Sequence, residues 1–260
     1  MQFMSVILSL TLLVFSQNAI AAERPVVIEL FTSQGCSSCP PADRLLGELA
    51  ERDDLIALAY HIDYWDYIGW KDPLGLKAAT LRQRAYAKSM HSRQIFTPQL
   101  IVDGTVSVVG SDEGAVTAAI KEAQRAARNQ PQAIAIGLRP DGGDLILNLP
   151  ASPGVGAASI WLVAFDDRHV TDIPRGENSG RTLVDIHAVR AITNLGPWRG
   201  ASASQRIPSS SWPPSSDNIA ILVQADGHGA IVAAQQLRLR AIPYPTCGVQ
   251  QAKPLPTAGG

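Results

Sequence analysis

The sequence predicts an α/β unit followed by an antiparallel, β-sandwich-like region, and three observations carry that prediction. From residue 25 to about 129, apolar runs rich in β-branched and aromatic residues alternate with stretches of helical spacing. Near residue 130 the texture changes to short apolar runs separated by Gly, Pro and Ser. Two cysteines, Cys36 and Cys39, stand between the first strand run and the first helical stretch.

Val26-Val27-Ile28-Glu29-Leu30-Phe31 reads as a buried strand, and the polar turn Thr32-Ser33-Gln34-Gly35 leads into the cysteines. Leu45, Leu46 and Leu49 then lie at helical spacing. Leu55 to His61 suits a second strand, and an aromatic, acidic loop runs from Ile62 to Trp70. Leu76 to Met90 reads as a basic amphipathic helix carrying Lys77, Arg82, Arg84 and Lys88. Thr97-Pro98 introduces a third strand, Gln99 to Val102, and Asp103-Gly104 turns it into Val106 to Val109. Glu113 to Arg128 closes the unit as an Ala-rich helix, giving the order β-α-β-α-β-β-α.

Further strands are expected at Gln132 to Leu138, Leu145 to Leu149, Ile160 to Phe165, Thr182 to Val189, Ile219 to Gln224 and Ala230 to Gln236. Asp141-Gly142-Gly143 and Asp226-Gly227-His228-Gly229 are hairpin signals. Pro and Ser cluster from Pro208 to Ser216, and residues 244–260 read as a loose tail. Residues 1–22 carry no charged side chain, have an apolar core and end near Ala19-Ile20-Ala21, as an export signal does, although the usual basic start is missing. The expected organisation is therefore a signal peptide at 1–22, an α/β domain at 23–130, a β-sandwich-like domain at 131–243 and a tail at 244–260. Export, to a periplasm or beyond the cell, implies an oxidising compartment where disulfides persist.

A formal net charge of -1 gives no electrostatic footprint for nucleic acid or an anionic membrane. Three cysteines cannot form a disulfide framework. Within the pair, Cys36 is the expected nucleophile and Cys39 the resolving thiol, because the first position lies farther from the helix body. Unpaired N–H groups and the helix dipole favour a thiolate there. Pro40 disfavours a helical conformation at Cys39, so that residue is expected just before the helix. The competing reading is an inert structural disulfide. Tyr64, Trp65, Tyr67 and Trp70 can offer an apolar surface to a peptide or small thiol substrate. Cys36, Cys39 and His61 form a soft three-ligand set suited to Cu(I) or Zn, so a copper-binding module stays open beside exchange chemistry, as does a protein-binding module. Arg175-Gly176-Glu177-Asn178 is either a solvated turn or a loop that docks the two domains. Cys247 is the odd thiol.

The order of elements, the Cys-x-x-Cys after the first strand and the Thr97-Pro98 before the third resemble the thioredoxin superfamily over residues 25–129. That resemblance implies a cis bond at Pro98 beside the dithiol, with Thr97 and Pro98 shaping a groove for substrate. It also implies a buried acid beneath the dithiol, a role that falls to Glu29, the one charged residue of the first strand. By alternation Glu29 shares a face with Val27 and Phe31, and the competing reading makes it the partner of a buried backbone or basic group. More narrowly, Glu29 to Pro41, His61-Ile62-Asp63-Tyr64-Trp65 and Arg175 to Asn178 resemble a secreted bacterial thioredoxin-like family of uncharacterised function. The function expected is thiol–disulfide exchange on a protein or small disulfide, with a separate redox partner and no cofactor beyond the Cys36–Cys39 pair.

Overall fold

The computed structural model describes residues 24–129 and 134–239; the expected export signal, the tail and Cys247 lie outside them. β1 (Val26–Thr32) pairs in parallel with β2 (Leu55–His61), in register from Val26↔Leu55 to Thr32↔His61. β3 (Gln99–Val102) pairs antiparallel with the other side of β1. All three are buried along their whole length, which is why they read as continuous apolar runs. Alternation divides β1 between two cores. Ile28 and Leu30 pack with Ala42 and Leu46 of α1 (Pro40–Ala50) and Val116 and Ile120 of α3 (Glu113–Arg128). Val27 and Phe31 pack on the opposite face with Ala79 and Tyr86 of α2 (Lys77–Ser89). β4 (Val106–Val109) closes the edge through a turn in which Asp103 and Gly104 both have positive φ. This β-α-β-α start, with a Cys-x-x-Cys disulfide at the head of α1, is consistent with a thioredoxin-like fold.

Later strands do not build a free-standing sandwich. β5 (Gly137–Asp141), β6 (Asp144–Leu149) and β9 (Ala203–Ile207) form a separate three-stranded antiparallel sheet. β7 (Ala158–Ile173), β8 (Arg181–Trp198), β10 (Asn218–Ala225) and β11 (Ile231–Arg238) instead extend the first sheet, in the order β11-β10-β7-β8-β2-β1-β3-β4. The physical reason lies in their two-sided apolarity. Ile160, Leu162 and Ala164 face the small sheet, while Val163 and Phe165 join the core that holds Phe31 and Tyr60. A strand apolar on both faces needs cover on both, so the outer leaf of a two-layer sandwich would leave one side wet.

β7 and β8 also run much farther than their apolar cores, to sixteen and eighteen residues. The added length of β7 alternates between exposed and half-buried positions. It carries the β7–β8 turn up to the cysteines. Among the described residues, no helix is long and apolar enough to cross a membrane.

Candidate functional site

Cys36 and Cys39 form a disulfide. The turn before it is closed by Cys36 N–H donating to Ser33 O at 3.1 Å and Gly35 N–H donating to Ser33 Oγ at 3.0 Å. Cys39 caps α1 with φ -78° and ψ -37°, so it is helical in spite of Pro40. Pro40 and Pro41 occupy first-turn positions where no intrahelical donor is needed, and the carbonyl of Cys39 accepts from Ala42 and Asp43 N–H. Cys39 is fully buried, and Cys36 is 5% exposed.

The Thr97–Pro98 bond is cis. Thr97 Oγ1 lies 3.3 Å from Cys36 Sγ, and Trp65 Nε1–H donates to the same Oγ1 at 2.7 Å. An indole nitrogen only donates, so Trp65 occupies a lone pair of Thr97 and leaves the hydroxyl proton free for the sulfur. Ser38 Oγ, also 3.3 Å from Cys36 Sγ, supplies a second hydroxyl. Gly110 supports this wall from behind. Its N–H donates to Pro98 O at 2.9 Å, and an added Cβ would come within 2.7 Å of Leu30 Cδ1. The rings of Tyr64, Trp65 and Tyr67 follow one another at 5.7 and 6.2 Å, ending in Tyr67, which is 79% exposed.

The turn after β7, Arg175 to Asn178, docks onto the cysteine loop. Buried Asn178 donates from Nδ2 to Gln34 O at 2.9 Å and to Cys36 O at 3.0 Å, and its Oδ1 accepts from Arg181. Glu177 Oε2 accepts the N–H of Ser37 at 3.2 Å. Gly176, with φ +86°, lies so close to the loop after β2 that an added Cβ would sit 3.0 Å from Trp70 Cβ. Gln34 joins the same contact: its Nε2 donates to Asp185 Oδ2 at 2.7 Å and Thr171 Oγ1 at 3.0 Å, and its Oε1 accepts from Trp70 Nε1 at 3.1 Å. Sequence spacing gave Gln34 and Asp185 no role. The signal that existed was a polar, glycine-bearing turn dense with Arg, Glu and Asn.

Behind the cysteine loop, whose Gln34 N–H donates to Asp72 Oδ2 at 2.8 Å, lies an acidic cluster built from His61 of β2, Asp43 of α1, Asp72 of the loop after β2 and Asp185 of β8. Buried His61 holds Asp72 Oδ2 at 2.8 Å through Nδ1, with Asp185 Oδ1 3.7 Å from Nε2. Burial opposes the charge on His61, but Asp72 and Asp185 overcome it and lift the imidazole to about 9. Asp72 is held below the ordinary range: desolvation pushes it up, and the charge and hydrogen bond of His61 pull it down further. Half-buried Asp43, bonded to Thr32 Oγ1 at 2.6 Å, is raised by desolvation to about 7. Asp43 also lines a cavity of about 160 Å³ with Pro40, Arg44 and residues 182–184. His61 is thus committed to carboxylates, and among the described residues no group of three or more His, Cys, Asp or Glu side chains is arranged for a metal ion.

Glu29 is not beneath the dithiol. Its parity on β1 turns it to the α2 face, where Arg82 Nε donates to Oε1 at 2.7 Å and Tyr86 OH donates to Oε2. Gln224 joins the network, accepting from Arg82 at 3.2 Å and donating to Tyr86 OH at 2.9 Å. The acid that does lie on the dithiol side is Asp43, one helical turn past Cys39 on the same helix face.

A family model described as "Protein of unknown function (DUF1223)" matches residues 27–224. The crystal structure of protein AGR_C_4864 from Agrobacterium tumefaciens is similar, with a TM-score of 0.72 and 30% identity, covering 84% of this chain and 96% of that one. HBP35 of Porphyromonas gingivalis shares the fold at a TM-score of 0.56 and 14% identity, over 90% of this chain and 81% of that one. No curated protein matches.

Proposed function

Because the chain belongs to the DUF1223 family, whose function is unknown, its role must be read from the site, and we propose that it is a thiol–disulfide exchange protein. The observation that carries this reading is the convergence of hydroxyl donors on one sulfur. Thr97, oriented by Trp65, and Ser38 both reach Cys36 Sγ at 3.3 Å, while Cys39 has none of this and is fully buried. Hydrogen bonds to the charged form of a thiol favour the thiolate, so Cys36 is the attacking sulfur and Cys39 the one that resolves.

In the exchange, a substrate thiolate attacks Cys36 Sγ, the Cys36–Cys39 bond breaks, and Cys39 leaves with the electron pair. Cys39 then needs a proton. No bulk water reaches it directly, and Asp43, which holds a proton up to about pH 7 and lines a small cavity, is the group placed to provide one. Reoxidation runs the same steps backwards with a separate disulfide as acceptor. The aromatic surface of Tyr64, Trp65 and Tyr67 gives an apolar platform beside Cys36 for a polypeptide or small disulfide. Pro98 has no N–H, which leaves the wall opposite Cys36 without a competing donor. The chain is proposed to work after export, in an oxidising compartment.

A second reading has one observation in its favour. Cys36 is only 5% exposed and its loop is held by Asn178, as suits a staple in a binding module. The two separate on a trapping experiment. Offered glutathione disulfide, a Cys39→Ser, Cys247→Ser variant should form a stable mixed disulfide on Cys36 with release of one glutathione thiol, seen by mass spectrometry, whereas Cys36→Ser, Cys247→Ser should form little. Equal inertness of both would favour the staple.

A further inference from the structure

The β7–β8 turn approaches the cysteines from a part of the chain nearly 140 residues away, as the Ser37–Glu177 separation of 140 records. Its contacts are directed at the atoms that set the geometry and charge of Cys36. We propose that this turn is a working wall of the dithiol site, in which Asn178 is a positioning residue for ring closure and Glu177 an electrostatic one for Cys36. This rests on the exchange reading above.

Asn178 is 1% exposed and spends both amide protons on the carbonyls of Gln34 and Cys36. Those carbonyls belong to the loop that must stay still for Cys36 and Cys39 to meet. A held loop raises the effective concentration of one thiol at the other and so stabilises the disulfide. Glu177 acts in the opposite sense on nucleophilicity. Its carboxylate takes the N–H of Ser37, the residue after Cys36, and so brings a negative charge to the cysteine loop. The other charged groups on the surrounding elements are Arg175 and Arg181 of the turn, Asp63, Asp66, Lys71 and Asp72 after β2, His61 of β2, Asp172 of β7, Asp185 of β8, and Asp43 and Arg44 of α1; Arg181 is engaged by Asn178, and Asp72 and Asp185 by Gln34 and His61.

The test uses the full chain with Cys247→Ser. In glutathione buffers the Cys36–Cys39 bond is reduced as two glutathione thiols give up two electrons and two protons and leave as one glutathione disulfide. Asn178→Ala should ease that reduction by about tenfold in the equilibrium constant, or about 30 mV for a two-electron couple. Glu177→Gln keeps an acceptor for Ser37 N–H and removes the charge. In a Cys39→Ser background, where Cys36 is free without reduction, it should move the midpoint of Cys36 alkylation down by about half a pH unit. That gap should close at 1 M salt, where screening reaches about 3 Å. Wild-type equilibrium and midpoint in both variants, with only a lower melting temperature, would reduce the turn to a structural contact and overturn the proposal. If the parent pair itself resists glutathione, the exchange reading fails, and the alkylation profile still decides the role of Glu177.

Discussion

Two buried polar clusters flank β1, and they differ in how their charges balance. On the α2 face, Glu29 meets one arginine, and Tyr86 and Gln224 add hydrogen bonds to the pair. On the α1 face, three carboxyl groups, Asp43, Asp72 and Asp185, share one histidine. The first cluster is matched in charge: neither Arg82 nor Tyr86 gives up a proton readily there, burial opposing the Arg82 charge while Glu29 outweighs it, and burial holding the Tyr86 phenol neutral. The second is mismatched, and it holds two shifted groups: Asp43, raised to about 7 chiefly by desolvation, and His61, raised to about 9 by Asp72 and Asp185 against its own desolvation. A matched pair specifies a fold. A mismatched cluster behind a dithiol loop can exchange protons with the dithiol, and this is why Asp43, not Glu29, is assigned to proton transfer.

The largest effect should come from breaking the matched side. Arg82→Met leaves Glu29 buried without its cation and should cost about 3–5 kcal/mol in denaturant unfolding, while Glu29→Leu with Arg82→Met should recover most of it. The redox equilibrium of the refolded protein should stay as in the wild type. A changed equilibrium would mean that Glu29 communicates with the cysteines after all.

On the mismatched side the effect should appear as pH dependence. The folded-state pKa of Asp43 is raised, so the folded protein binds that proton more tightly; its contribution is complete below about pH 4 and lost as pH rises through about 7. The His61 contribution is complete below its unfolded value of about 6.5 and lost as pH rises through about 9. Asp72, held low, adds the opposite slope only in acid. Thermal melts should therefore show stability falling from mildly acid to alkaline pH, with Asp43→Asn flattening the lower part of the slope. The same variant should slow release of Cys39 in single-turnover exchange below pH 7. An unchanged slope would contradict the assignment.

The smallest effect should come from Thr97→Val, which keeps the shape and removes the hydroxyl. Cys36 alkylation should then shift to higher pH by about half a unit, a lost hydrogen bond being worth about 1 kcal/mol. Trp65→Phe should move it the same way by less, because it only frees Thr97 to reorient.

Local chemistry made much of this legible in the sequence. The Cys-x-x-Cys between a strand and a helix, the Thr97-Pro98 before a strand and the Asp103-Gly104 turn each reflect residues acting on their immediate neighbours. The side to which Glu29 points was legible too, through its parity with Val27 and Phe31. A buried basic partner was one of two readings, but which residue supplies it was not legible, because Arg82 comes from a helix that reads as an ordinary basic amphipath. Asp43 reads as a first-turn acid, and its burial, with β8 packed beside α1, comes from residues distant in sequence. β9 escaped notice because Ala203 to Gln205 are small or polar and only Ile207 is fully buried. The docking turn at Gly176 to Asn178 was visible as a dense polar motif, but its target lies about 140 residues away and no local rule names it.

The most direct measurement is the equilibrium of Cys36–Cys39 with glutathione on metal-free protein, read by alkylation and mass spectrometry with Cys247 resolved separately. A reversible pair poised between about -120 and -270 mV, the range of catalytic oxidoreductases, is the expected result. A bond that stays closed to well below about -300 mV would contradict exchange and leave the pair as a staple.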